Sequence, residues 1–139
     1  MNNNDLHTAL TGGYKGLTGD PAKILQGDDF LNQVAPMIMA SQSYQDHGAI
    51  VIWFDESEDD DVAGDNADDL NHTIPEIIIS PLAHANVNGL PYASAVNLSH
   101  SADLRTWQEV FHVGPFLRHA ESTPDLSDLC QPGVIPGTL

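Results

Sequence analysis

The sequence predicts an α/β protein built on a mostly parallel sheet, and three observations predict it. Two short, unbroken apolar runs, Ala49-Ile-Val-Ile-Trp-Phe54 and Ile77-Ile-Ile79, are rich in β-branched residues, the pattern of strands covered on both faces. Two longer segments, from residue 28 and from residue 99, carry apolar residues at helical spacing. Along the chain these segments run helix, strand, strand, helix, with loops between them.

Residues 1–27 read as an irregular N-terminal segment, because Gly12-Gly13, Gly16, Gly19-Asp20-Pro21 and Gly27 mark turns. Asp28-Asp29 then makes a helix start, followed by Phe30, Val34, Met37 and Ile38 on one stripe. Pro36 is expected to kink or shorten that helix. Gly48 closes the connection to the first strand. Nine of the fifteen residues from Asp55 to Asp69 are acidic, so the loop between the strands has no place in a core. After the second strand, Ser80-Pro81, Asn88-Gly89 and Pro91 signal turns. Ser99-His100-Ser101 is suited to cap a helix with Leu104, Trp107, Val110 and Phe111 on one face, and Gly114-Pro115 ends it. The tail from residue 114 holds several prolines. It is expected either to fold back through Leu126 and Leu129 or to stay loose. One domain is expected over 1–139, with an α/β core at 28–113 and a tail at 114–139. Two strands make a thin sheet, so self-association or a further segment is expected to complete it.

Twenty acidic residues stand against four basic ones, a net charge of −16. That balance excludes nucleic acid and anionic membrane surfaces as partners and favours multivalent cations. The alternative is a salt-adapted, highly soluble surface. The longest apolar runs fall far short of the ~18 residues of a membrane span. The start of the chain has neither a basic nor an apolar leader segment, so it does not read as a signal peptide. Cys130 is the single cysteine, which excludes an internal disulfide and reads as structural or incidental.

The candidate chemistry lies where the first strand ends. Asp55 and Glu56 are adjacent there, and His72 directly precedes the second strand. Strand ends of open α/β sheets are where such proteins gather ligands. Two carboxylates and an imidazole suit a divalent ion such as Ca²⁺, Mg²⁺, Mn²⁺ or Zn²⁺. Such an ion stabilises charge on a phosphoryl oxygen. The alternatives are a solvated acidic loop and a surface histidine. No phosphate-binding glycine loop, nucleophile elbow or EF-hand order is present.

Four segments carry a resemblance: Gly27-Asp-Asp-Phe-Leu-Asn-Gln-Val-Ala-Pro36, Gly48-Ala-Ile-Val-Ile-Trp-Phe-Asp-Glu56, Ile74-Pro-Glu-Ile-Ile-Ile-Ser-Pro81 and Ser99-His-Ser-Ala-Asp-Leu-Arg-Thr106. In this order they resemble the C-terminal half of the phosphoesterase family, the acid phosphatases and phospholipases C of the alkaline-phosphatase-like superfamily. The resemblance implies a partial three-layer sandwich with a mostly parallel sheet. It implies that Asp55 and Glu56 bind a divalent metal, with His72 as a further ligand as in wider relatives. It also implies phosphate-contacting or helix-start histidines at His7 and His100, with a hydrogen-bonding structural role as the alternative for His100. The family's remaining metal ligands and its serine or threonine nucleophile lie in an N-terminal half that nothing here matches.

The expectation is therefore a metal-dependent hydrolase of phosphate mono- or diesters, or the C-terminal half of one. A non-catalytic, acidic, cation-binding or oligomerising module derived from the same fold is the alternative. The resemblance implies a secreted or periplasmic parent. The expected partners are a phosphate ester and a second copy of the chain or a missing N-terminal half.

Overall fold

Asp20-Pro21 opens a helix rather than a turn. In the computed structural model, which describes residue 6 and residues 10–55, 74–84, 88 and 90–138, helix α1 runs Gly19–Met39. It starts well before the expected Asp28-Asp29, so the segment expected to be irregular is helical from Gly19. Asp20 in the first turn complements the positive end of the helix dipole, and Pro21 sits where a missing N–H costs nothing. The helix also passes Pro36 and continues to Met39, losing one intrahelical bond at the proline rather than ending there.

The chain divides into two compact units, Met1–Ile50 and Val51–Leu139. In the first, α1 buries Ala22, Gln26 and Gly27, a narrow stripe one turn long. Gln26 Oε1 accepts the Leu10 N–H at 3.3 Å, and Lys15 Nζ lies 2.5 Å from Asp29 Oδ2, so the preceding segment is tied along the helix. A one-turn helix α2, Gln42–Gln45, follows, its N-terminus capped by the Ser41 hydroxyl accepting from the Tyr44 N–H. Tyr44 is buried against this corner. Gly48 comes so close to the Ser43 carbonyl that any Cβ there would collide with it.

In the second unit, strands β1 (Ile50–Trp53, entering from the boundary) and β2 (Glu76–Ile79) pair as a two-stranded sheet. Mixed α/β content is therefore present, as expected, but the two strands pair antiparallel, so the mostly parallel three-layer sandwich is not shown. The expectation that both strand faces are covered is not met. Trp53 is 45% and Ile77 51% exposed, because two strands and one long helix supply too few layers to close over both sides of the sheet.

Helix α3, His100–Val110, begins where the Ser99-His100 signal put it. Ser99 holds the extended N-cap backbone, but its side chain makes no capping bond. The inward face is the opposite of the one expected. Ala102, Asp103, Thr106 and Glu109, at three- and four-residue spacing, are buried, while Leu104 and Val110 face outward and Phe111 is 69% exposed. The reason is the chain that follows, which wraps onto the helix through hydrogen bonds. The Thr106 hydroxyl donates to the Ala102 carbonyl and accepts the Leu126 N–H at 2.9 Å. Gln108 Nε2 donates to the Val113 and Pro115 carbonyls, and its Oε1 accepts the Leu117 N–H. Arg105 Nε donates to Glu109 Oε1 at 2.8 Å, its Nη1 to the Glu121 and Thr123 carbonyls, and its guanidinium lies over Phe116.

Of the two expectations for the tail, folding back is the one observed. Leu126 is 1% exposed and packs with Ala102, Ala120 and Cys130 in a small core. Two 3-10 turns, Arg118–Glu121 and Ser127–Leu129, shape it. The tail then pairs with the segment after β2. An Ala83–Cys130 bridge forms, His84 N–H donates to the Leu129 carbonyl, and Gln131 N–H donates to the Leu82 carbonyl. Burial pushes the Cys130 thiol above its ordinary range, as suits a structural residue. Among the described residues, no helix is long and apolar enough to cross a membrane.

Candidate functional site

Within the second unit a cleft of about 600 Å³ opens between the end of β1, the start of β2, the 92–99 loop and the first turn of α3. Asp55 and His100 both line it. Asp55 reaches it because β1 ends at Trp53 and the chain turns out of the sheet two residues later. His100 reaches it as the first residue of α3, with its ring edge-on to Trp53 at 5.0 Å between centroids. Two residues singled out from separate sequence segments therefore face one cavity. Glu56, His72 and His7 lie outside the described residues. Among the described residues, no group of three histidine, cysteine or carboxylate side chains is placed to hold a metal ion.

The cleft also contains two carboxyls that the sequence reading passed over, Glu76 and Asp103. Glu76 is the first residue of β2, a lone acid inside the Ile74-to-Ile79 apolar run. Asp103 is one turn beyond His100 on the buried face of α3 and only 8% exposed. Burial, then the charge of Asp103, then a hydrogen bond with it raise Glu76 from 4.5 to about 7. Burial also raises Asp103, against the hydrogen bond from Glu76 and the nearby His100 charge, which favour its ionised form. Two carboxyls buried side by side resist ionising together, so one shared proton on the pair is favoured. Glu76 Oε1 and Asp103 Oδ1 are buried and receive no hydrogen bond from the described residues. A full pair of negative charges would leave those oxygens unsatisfied, and the shared proton removes one of the charges.

The far wall is fixed by a polar knot. Asp128 Oδ2 accepts from Tyr92 Oη at 2.8 Å and from Ser94 Oγ at 2.5 Å, and these bonds hold its carboxyl below the usual carboxylate range. The His84 ring stacks on Tyr92 at 3.9 Å, with its Nδ1 3.0 Å from the Asp128 carbonyl oxygen. Ser94 Oγ also accepts the Val96 N–H. Its hydroxyl is therefore engaged on both sides, which suits a wall residue better than a nucleophile.

The sequence carried a partial signal for the missed pair. A glutamate inside an isoleucine run, opposite a helix whose first turn holds His100 and Asp103, marks a strand start and a helix start that can meet. No family model matches the chain, and no curated protein or solved structure matches it.

Proposed function

We propose that the chain is a metal-dependent hydrolase of the phosphoesterase type, acting on phosphate mono- or diesters, or the C-terminal half of such an enzyme. One observation carries this reading: Asp55 and His100, distant in sequence, line the same cleft. Asp55 is exposed and brings the oxygen donors that a hard divalent cation prefers. It is the one proposed metal ligand within the described residues, and Glu56 and His72 are proposed to complete the set. The ion, as Zn²⁺, Mn²⁺, Ca²⁺ or Mg²⁺, would supply Lewis acidity toward a phosphoryl oxygen. His100, edge-on to Trp53, is proposed to hold an oxygen of the phosphate, and His7 is proposed as a second phosphate contact. The half-exposed strand residues support a fuller sheet, the partial alkaline-phosphatase-like three-layer sandwich, completed by a second copy of the chain or a further segment.

The test is turnover of 4-nitrophenyl phosphate and bis(4-nitrophenyl) phosphate with each of the four metals. His100→Ala is expected to lower kcat/KM by about 10²-fold or more, the size usual for a positioned proton or oxyanion partner. Asp55→Ala is expected to lower it at least as far and to weaken the dependence on metal. Parent-level activity in Asp55→Ala would sink the reading.

A second reading is a non-catalytic acidic module that binds cations or oligomerises. The two-stranded sheet with exposed Trp53 and Ile77 favours it, since such a sheet gains most from a partner. Calorimetric binding of Ca²⁺, Mg²⁺ or Zn²⁺ without turnover in the same sample selects it.

A further inference from the structure

Glu76 and Asp103 have no part in the metal site proposed above, and nothing in the phosphoesterase resemblance assigns them a role. Three features set them apart from an ordinary acidic surface. They come from different elements, the first residue of β2 and the first turns of α3, and meet inside the cleft. Asp103 is more than nine-tenths buried, with its Oδ1 facing no donor among the described residues. Glu76 is only half-buried and lines the same cavity as Asp55 and His100. Both acids line the cavity, Asp103 the more deeply buried of the two.

We propose that Glu76 is the general acid of this cleft, delivering its proton to the leaving oxygen of the ester, and that Asp103 is the positioning residue that keeps Glu76 protonated and oriented. This rests on the ester-hydrolase reading and deepens it. In the step, water oxygen bonds to phosphorus while the phosphorus–oxygen bond to the alcohol breaks. The Glu76 proton passes to the departing alkoxide, giving the free alcohol. The proton released by the attacking water returns to the Glu76 carboxylate, so the acid is restored and the sum is ester plus water to alcohol plus phosphate. Among the described residues, the charged or titratable groups that line the cleft with Glu76 are Asp103 and His100 from α3, Asp55 from the end of β1 and Tyr92 from the facing loop. A proton held to near pH 7 on Glu76 is what an acid working at neutral pH requires.

The test compares two monoesters, 4-nitrophenyl phosphate, whose leaving group needs no proton, and glycerol 2-phosphate, whose alkoxide does. With Mn²⁺ present, Glu76→Gln is expected to lose about 10²- to 10⁴-fold in kcat on the alkyl ester and less than about tenfold on the nitrophenyl ester. Equal losses on both esters, or no loss on either, overturn the general acid and leave the hydrolase reading standing. No turnover by the parent on either ester, with any of the four metals, overturns the hydrolase reading and the acid with it. A carbon-13 titration of the Glu76 carboxyl in the unmutated protein gives a readout free of folding defects. Its midpoint is expected near 7 and is expected to move down in Asp103→Asn. A midpoint in the ordinary carboxylate range overturns the proposal.

Discussion

A single proton on Glu76 makes the stability of this chain depend on pH. The folded pKa is raised from 4.5 to about 7, so between those values the folded chain keeps a proton that the unfolded chain has released. Stability contributed by this group is therefore full below pH 4.5 and is lost as pH rises through 7. Urea unfolding is expected to show a stability loss on the order of 1 kcal/mol across that window, less than the bare shift because Glu76 is partly solvated, and Glu76→Gln is expected to flatten it. A rising or level profile in the parent would contradict the shared proton. Gly48 offers a second residue-scale test. Gly48→Ala places a methyl against the Ser43 carbonyl and is expected to cost about 1–3 kcal/mol by the same measurement. The meeting of Asp55 and His100 was partly legible in the sequence, since strand ends and helix starts gather at one edge of a sheet. The Glu76–Asp103 pair was less so, because a lone acid in an apolar run says little until its opposite number is known.

At the scale of elements, α3 is held by directed bonds more than by apolar contact. Glu109 is fully buried beside Asp125, and among the described residues its cationic partner is Arg105. Removing that partner strands a charge in the interior, so Arg105→Met is expected to cost about 3–5 kcal/mol, while Arg105→Met with Glu109→Leu is expected to recover most of it. A double variant no better than the single one would contradict this account. The positions of β1, β2 and the start of α3 were readable from short apolar runs and from Ser99-His100. The facing of α3 was not. Its apolar spacing at Leu104, Trp107 and Phe111 is real, but the returning tail offers backbone N–H and carbonyl groups to the helix, and Thr106, Gln108 and Arg105 answer them. Tertiary demand overrode periodicity. The start of α1 was missed for a local reason: Gly19-Asp20-Pro21 fits a turn and a first helical turn equally well.

For the whole molecule, net charge acts on every element at once. Twenty acids and four bases repel in the folded state, and added salt screens them. Raising sodium chloride from low to high concentration is expected to raise Tm by several degrees, and a salt-independent Tm would contradict a destabilising charge repulsion. The proposed sheet completion belongs to this scale as well, and sedimentation at rising protein concentration is expected to detect a dimer. The two units, Met1–Ile50 and Val51–Leu139, are each held by their own contacts, and the small core of Ala102, Ala120, Leu126 and Cys130 belongs to the second alone.

The polar inner face of α3 inverts the usual map of what the chain tolerates. A greasy stripe accepts many shapes, whereas Thr106, Gln108 and Glu109 each answer a particular donor or acceptor at a fixed height along the helix. Rotating or sliding that helix by one residue would break several of these matches together, so the tail's register is specified letter by letter. In a saturation library, Leu104 of α3 and Phe111 just after it should accept lysine or serine freely. The helix's threonine, glutamine and glutamate positions should accept almost nothing. A hydropathy-guided redesign that greased the inward side would then loosen the very segment it meant to tighten.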